Sequence, residues 1–408
     1  MQGRKPDYCT GQRRAVTELL LTVGVLPQKG LFLLGNGYIC AKLLRKMIDE
    51  GVVREVVVRK KHIFVFNDFE NTCDIYLNQY RAGCYVYYNL FAKINAKDIG
   101  RNTRKEISKV SRAYRQGLTE EMMYGAGIRC TSNQRPQPAM MSEFSEPPYY
   151  FSSLEVRGKK QDNSVATQPK VIDEVYREDE EEDEDTGIIK HISTRSMGVL
   201  YSRGGLYVVY NLGSRNIWWS DRAEMSFCSY AFSVGYVKKL YQKDNKSRSL
   251  FFYQREKQLR DILMGDVNKS YFSLNSTDYD RLYAIPYSLD GRELVKEMTC
   301  PGWEKRRIEA VCTLMELDLN FDVSRLSLDC DGFDDDNYYY FLTSCELKRL
   351  SRFVKSSIFD INKNKTYVIY CFEWQYKPVK EYVKNQAVVK VIPFVMYSKF
   401  LDYIKNEE

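Results

Sequence analysis

Between residues 10 and 50 the apolar positions repeat at helical spacing three times, with turn residues in between. Ala15, Leu19, Leu20 and Val23 share one face of a first predicted helix, which Thr10 can cap and Gly24 and Pro27 end. A short second helix fits Gln28–Leu34, with Leu31 and Leu34 turned inward. Gly35-Asn36-Gly37 is a turn signal, because Gly and Asn tolerate positive φ. A third helix from about Tyr38 to Glu50 takes Ile39, Leu43, Leu44, Met47 and Ile48 as its apolar stripe, and Gly51 sits where a helix commonly ends. The pattern then turns to β: Val52–Val58 and Ile63–Phe66 flank the basic tip Arg59-Lys60-Lys61-His62 and predict a hairpin. Helix, helix, Gly-containing turn, helix, basic hairpin is the order of a winged helix-turn-helix.

Beyond residue 70 the pattern loosens. Asn102–Gly127 predicts one long helix whose first half carries a basic band and whose second half, with Met122 and Met123, is apolar. Residues 129–195 read as loops around an unbroken acidic run, Glu178–Asp185, which repels itself and predicts a mobile segment. From residue 196 strands alternate with helices. Val199–Ser202 and Leu206–Asn211 form a hairpin around Gly204-Gly205. Towards the end, strands at Tyr338–Leu342, Thr366–Phe372 and Ala387–Ile392 are separated by helices at Ser344–Ser357 and Gln375–Lys384. Such alternation predicts βαβ units. The expected architecture is α/β (α+β overall): a winged helix-turn-helix over 1–70, a helical extension over 71–128, a loop-rich segment over 129–195, and an α/β domain with a mixed, largely parallel sheet over 196–408.

Composition sharpens this picture in two places. The net charge of +7 conceals an asymmetry: residues 1–127 carry 21 Lys/Arg against 12 Asp/Glu, while residues 128–186 carry 7 against 14. The positive excess falls on the helix-turn-helix pattern, the footprint expected for phosphate contact. The eleven cysteines contain no CxxC pair, and the chain has two histidines, His62 and His191. This predicts reduced, buried thiols and no zinc site. No apolar run approaches the ~20 residues that span a bilayer, so a cytoplasmic protein without a membrane partner is expected.

The candidate chemistry follows from these patterns. On the third helix Tyr38, Lys42, Arg45 and Lys46 project away from the apolar stripe, where a recognition helix meets the major groove. Arg54, Arg59, Lys60 and Lys61 of the hairpin are placed to neutralise phosphates. Arg104, Lys105, Lys109 and Arg112 on the long helix form a second candidate backbone contact. In the α/β region Asp329, Asp331, Glu346 and Lys348 make a D…ExK pattern, in which carboxylates hold Mg²⁺ and a lysine orients water in nucleases. Turn and helix-start chemistry explains the same residues, so the chain is not expected to be an enzyme and no cofactor is expected. No phosphate-binding glycine loop of the GxxxxGK[ST] or GxGxxG type occurs. A small-molecule pocket lined by Tyr and Trp is a third reading of the α/β domain.

The architecture resembles the replication-relaxation type proteins of bacterial plasmids and integrative elements. The stretch STRSMGVLYSRGGLYVVYNLG (Ser193–Gly213), with Trp218–Glu224 after it, also resembles large helix-turn-helix proteins of clostridial conjugative elements. The resemblance implies a sequence-specific double-stranded DNA-binding protein of a mobile genetic element, controlling replication, transfer or transcription. In the leading functional reading the α/β domain mediates dimerisation or partner recruitment.

Overall fold

A computed structural model of the chain describes residues 11–58, 60–68, 104–131, 134, 147–157, 194–213, 219–233, 247–265, 272–274, 279–323, 328–359 and 365–399. Thr10, Arg59, the segment 71–103, the acidic run Glu178–Asp185, His191 and Trp218 lie outside these residues. The chain divides into two compact units: residues 1–201 with 230–242, and residues 202–229 with 243–408.

The first unit opens with α1 (Gly11–Val23), β1 (Leu26–Pro27), a 3-10 helix (Gln28–Leu34), α2 (Gly37–Asp49), β2 (Val53–Val58) and β3 (Lys61–Phe66). The three strands form one antiparallel sheet in the order β1-β3-β2, with Leu26 opposite Phe64 and Val53 opposite Phe66. Leu19, Leu20, Leu31, Leu33, Leu44, Met47, Ile63 and Phe64 close the core between sheet and helices. The second helical segment is 3-10, and it buries Leu31 and Leu33, not Leu34. The long helix α3 (Arg104–Gly125) packs against α1, β1 and the 3-10 helix. Gly117 permits that approach, since a Cβ there would lie 2.5 Å from Cδ of Pro27. Glu18 of α1 is buried but satisfied: Arg14 Nε donates to it at 2.7 Å and Thr131 Oγ1, beyond the end of α3, at 3.2 Å. After α3 come β4 (Tyr149–Ser152), a short helix α4 (Ser153–Arg157) and β5 (Gly198–Ser202), which pairs antiparallel with β4.

The second unit contains β6 (Gly205–Asn211), α5 (Asp221–Ser233), β7 (Arg248–Tyr253), α6 (Glu256–Met264), β8 (Arg281–Pro286), α7 (Leu289–Met298) and α8 (Trp303–Leu314). Then follow β9 (Gly332–Phe333), β10 (Asn337–Phe341), α9 (Leu347–Phe359), β11 (Thr366–Phe372), α10 (Glu373–Val383) and β12 (Val388–Ile392), with residues 394–399 helical. Strands β6, β7 and β8 are parallel, and each is buried along nearly its whole length, as in a sheet covered on both faces. The later strands form a separate sheet, β12-β11-β10-β9, parallel except for β9. The fold is thus mixed α/β with mixed sheets, and the single sheet expected from the sequence is replaced by two. The physical reason is local. The outer edge of β8 is taken by the chain at Cys345-Glu346: Ala284 N donates to Cys345 O at 3.0 Å, and Leu282 N donates to a carboxylate oxygen of Glu346 at 3.0 Å.

The aromatic richness of this unit is spent on packing. Phe272 stacks on Phe251 at 3.9 Å, Tyr210 stacks on the same ring at 4.5 Å, and Trp219 abuts all three. The Tyr210 hydroxyl donates to Glu224 at 2.8 Å and lies 2.6 Å from that of Tyr279. Burial and the Glu224 carboxylate push the Tyr210 phenol far above its ordinary range. These rings fill one another's space. At the turn into α7, Gly291 lies under the preceding strand, and a Cβ there would sit 1.8 Å from Pro286 O. Gly291→Ala should lower stability by on the order of 3 kcal/mol, as an overpacked site against fixed backbone does, visible as a lower melting temperature. None of the helices among the described residues is long and apolar enough to cross a membrane.

Candidate nucleic-acid interface

The start of α2 is fixed by its sequence. Gly35 turns the chain at φ +110°, and the Asn36 side chain caps the helix by accepting from Tyr38 N at 3.1 Å and Ile39 N at 3.3 Å. Cys40, Leu44 and Met47 define the buried face. Opposite that face lie Tyr38, 76% exposed, and the exposed Lys42, Arg45, Lys46 and Asp49. The side chains of Lys42, Arg45 and Lys46 make no ion pair or hydrogen bond among the described residues. The nearby Glu50 is engaged elsewhere, by Arg13 of α1 at 2.5 Å. Three cations therefore share one face of one helix, and among the described residues binding an anionic partner breaks no salt bridge there.

Ile39 departs from the sequence expectation. The sequence spacing puts it in the apolar stripe, yet it is 46% exposed. At 100° per residue it falls beside Lys42 and Lys46 and away from the line through Cys40, Leu44 and Met47. The signal was present in the sequence: Cys40, a residue type usually buried, marks the true centre of the face.

The hairpin tip supplies a second basic surface. Val58 and Lys61 are paired across it, and Lys60 takes the left-handed conformation at φ +64°. Lys60 and His62 are exposed, and His62 Nδ1 lies 2.5 Å from Glu55 Oε1. The ammonium of Lys61 stands 4.6 Å over the ring of Tyr114, which reaches it from α3. Gln28, Lys29, Lys60, Lys61, His62 and Tyr114 line an open cleft of about 380 Å³. Arg54 differs from Lys60: it is half-buried on β2, and its Nε is buried with no hydrogen-bond partner among the described residues. Its chain serves packing more than it serves the surface.

On α3 the described member of the basic band, Arg112, turns inward. Arg104, Lys105 and Lys109 lie on the helix, but their side chains fall outside the described residues. Arg112 is half-buried and donates to Thr194 O at 3.2 Å and to Ser153 Oγ at 3.5 Å. One turn on, burial and the charges of Arg112 and Arg195 pull Arg115 down to about 10. At position 112 the expected second DNA contact is corrected to an internal tie between α3 and the segment before β5.

No family model matches this chain, and no curated protein or solved structure is significantly similar to it.

The acidic residues of the second unit are committed to the protein's own donors. Asp329 is held between Arg349 and Arg352. Asp331 is buried, pairs with Arg349 at 2.7 Å and accepts from Phe341 N at 2.7 Å. Burial pushes the Asp331 carboxyl up, against the pull of Arg349 and the Phe341 amide. Glu346 is also buried and accepts from Leu282 N and Lys348 N at 3.0 Å and from Arg349 N at 2.7 Å, so it caps α9 and ties it to β8. Burial pushes its carboxyl up, opposed by those amides. Lys348 follows one residue into the helix and is half-buried. The four D…ExK residues are thus neighbours, but the carboxylates face arginines and amides. Glu346→Ala should cost about 2 kcal/mol by orphaning buried amides, seen in thermal melts, and should leave affinity for duplex DNA unchanged.

Proposed function

We propose that residues 11–68 form a winged helix-turn-helix and that the protein binds double-stranded DNA, with α2 in the major groove and the β2–β3 tip along phosphates. The observation that carries this reading is the face of α2: Lys42, Arg45 and Lys46, exposed, without a partner among the described residues and opposite the core. The element order and the three-stranded sheet β1-β3-β2 support the same reading, as does the basic cleft beside the hairpin tip. The resemblance of Ser193–Gly213 to helix-turn-helix proteins of conjugative elements supports a cytoplasmic, sequence-specific DNA-binding protein of a bacterial mobile element, acting in replication, transfer or transcription. In this reading the α/β unit brings two copies together or recruits a partner. Two copies would read half-sites spaced by whole helical turns.

The test is binding of the full chain to random-sequence duplex DNA across a salt series. Contacts to Z phosphates give a slope of about −0.9Z in log affinity against log salt. A steep negative slope is the expected result. Absent or salt-insensitive binding would overturn the proposal.

A further inference from the structure

We infer that α2 reads thymine through its methyl group, with Ile39 as the specificity-determining side chain and the ring of Tyr38 beside it. The inference rests on the DNA-binding reading above and goes beyond it by naming what the helix distinguishes. A single exposed apolar side chain needs no explanation. Here two large ones, Tyr38 at 76% and Ile39 at 46% exposure, are adjacent in the first turn of the helix that carries Lys42, Arg45 and Lys46. That turn is the part of a recognition helix that meets base edges. It is held rigid by the Asn36 cap, whose carboxamide oxygen binds the amides of both residues. Ile39 is β-branched and so has little rotamer freedom in a helix. The cations on the same face pair with phosphates or with guanine, but neither Ile39 nor the Tyr38 ring has a polar complement. The apolar group a base pair offers in the major groove is the C5 methyl of thymine. Desolvating Ile39 against a cytosine or guanine edge buries polar atoms without a partner. Desolvating it against a thymine methyl removes apolar surface on both sides.

The experiment selects duplexes from a random-sequence library with the full chain. The enriched duplex is then remade with uracil in place of thymine, which removes the methyl groups and preserves base pairing. The expected result is thymine at the positions facing the first turn of α2 and a loss of about 4-fold in affinity per contacted methyl, the value of one buried carbon. Ile39→Ala should bind the thymine and uracil duplexes with nearly equal affinity, and Ile39→Leu should restore discrimination. Because Ile39 lies outside the core, thermal melts of both variants should match the parent within about 1 °C, which separates a reading defect from a folding defect. Enriched duplexes that bind equally well with uracil, or an Ile39→Ala variant that keeps the parent's thymine preference, would overturn the inference while leaving salt-dependent DNA binding intact. Salt-insensitive or absent binding of the library itself would overturn the DNA-binding reading, and this inference with it.

Discussion

Replacing Arg45 and Lys46 together by alanine should reduce affinity for duplex DNA by about 60-fold at 0.1 M salt. Each lost phosphate contact removes about 0.9 from the salt slope, which at 0.1 M corresponds to about 8-fold relative to 1 M salt. Two contacts multiply, and the slope should become shallower by about 1.8. The signature is a pair of curves that converge as salt rises, because the missing term is counterion release. Both side chains are exposed and without partners among the described residues, so the double variant should melt with the parent. Lys305→Ala is the matched control: it removes an exposed cation of α8 whose neighbour is Glu309 at 3.4 Å, and it should leave affinity and slope unchanged. A double variant that binds as the parent does would remove α2 from the interface. The same loss at every salt concentration would point to base contacts in place of phosphate contacts.

Much of the N-terminal arrangement was legible because its determinants are local. Asn36 caps the helix that follows it, Gly35 supplies the positive φ of the turn, and the hairpin tip falls between two β-branched runs. What stayed hidden depends on residues far away in the chain. The spacing of Arg112 with Lys105 and Lys109 reads as an exposed band, yet its guanidinium reaches Thr194, 82 residues on. The spacing of Asp331, Glu346 and Lys348 admits a metal reading beside turn and helix-start chemistry, and only the structure shows Arg349 holding Asp331 while the amides of Leu282, Lys348 and Arg349 hold Glu346. Strand pairing was equally hidden. The Glu346 side chain and Cys345 carbonyl take the edge of β8 where a further strand would add. Ile39 departs from the stripe for a smaller reason: spacing from Leu43 and Met47 admits it, and the burial of Cys40 rotates the face by enough to leave it outside.

Removing one partner of the Arg307–Glu297 pair should cost the second unit about 3–5 kcal/mol, the largest stability effect expected in the chain. Arg307 of α8 is 1% exposed and Glu297 of α7 5%, with Nη2 and Oε2 3.0 Å apart. Arg307 also donates to Thr343 O at 2.8 Å and Leu294 O at 3.3 Å and stacks on Trp303 at 4.6 Å. Glu297 accepts from the Tyr397 hydroxyl at 3.0 Å. Burial works against the charge of Arg307, but the Glu297 carboxylate outweighs it and raises the guanidinium above its ordinary value. In the Glu297→Gln variant that compensation disappears, and a buried cation is left facing carbonyls alone. The sign with pH follows. A cation whose folded value is raised contributes its stability fully below the ordinary arginine range and loses it only above that range. The deficit of Glu297→Gln against the parent should therefore be the same at pH 7 and pH 10. It should also be insensitive to salt, since ions do not screen a pair that water does not reach. A double variant, Arg307→Met with Glu297→Leu, should be more stable than Glu297→Gln alone, because the penalty comes from an orphaned charge more than from a lost attraction. A deficit under about 1 kcal/mol for Glu297→Gln in denaturant titration would mean that Thr343 and Leu294 hold the guanidinium without help. The pair would then orient α7 and α8 without stabilising them.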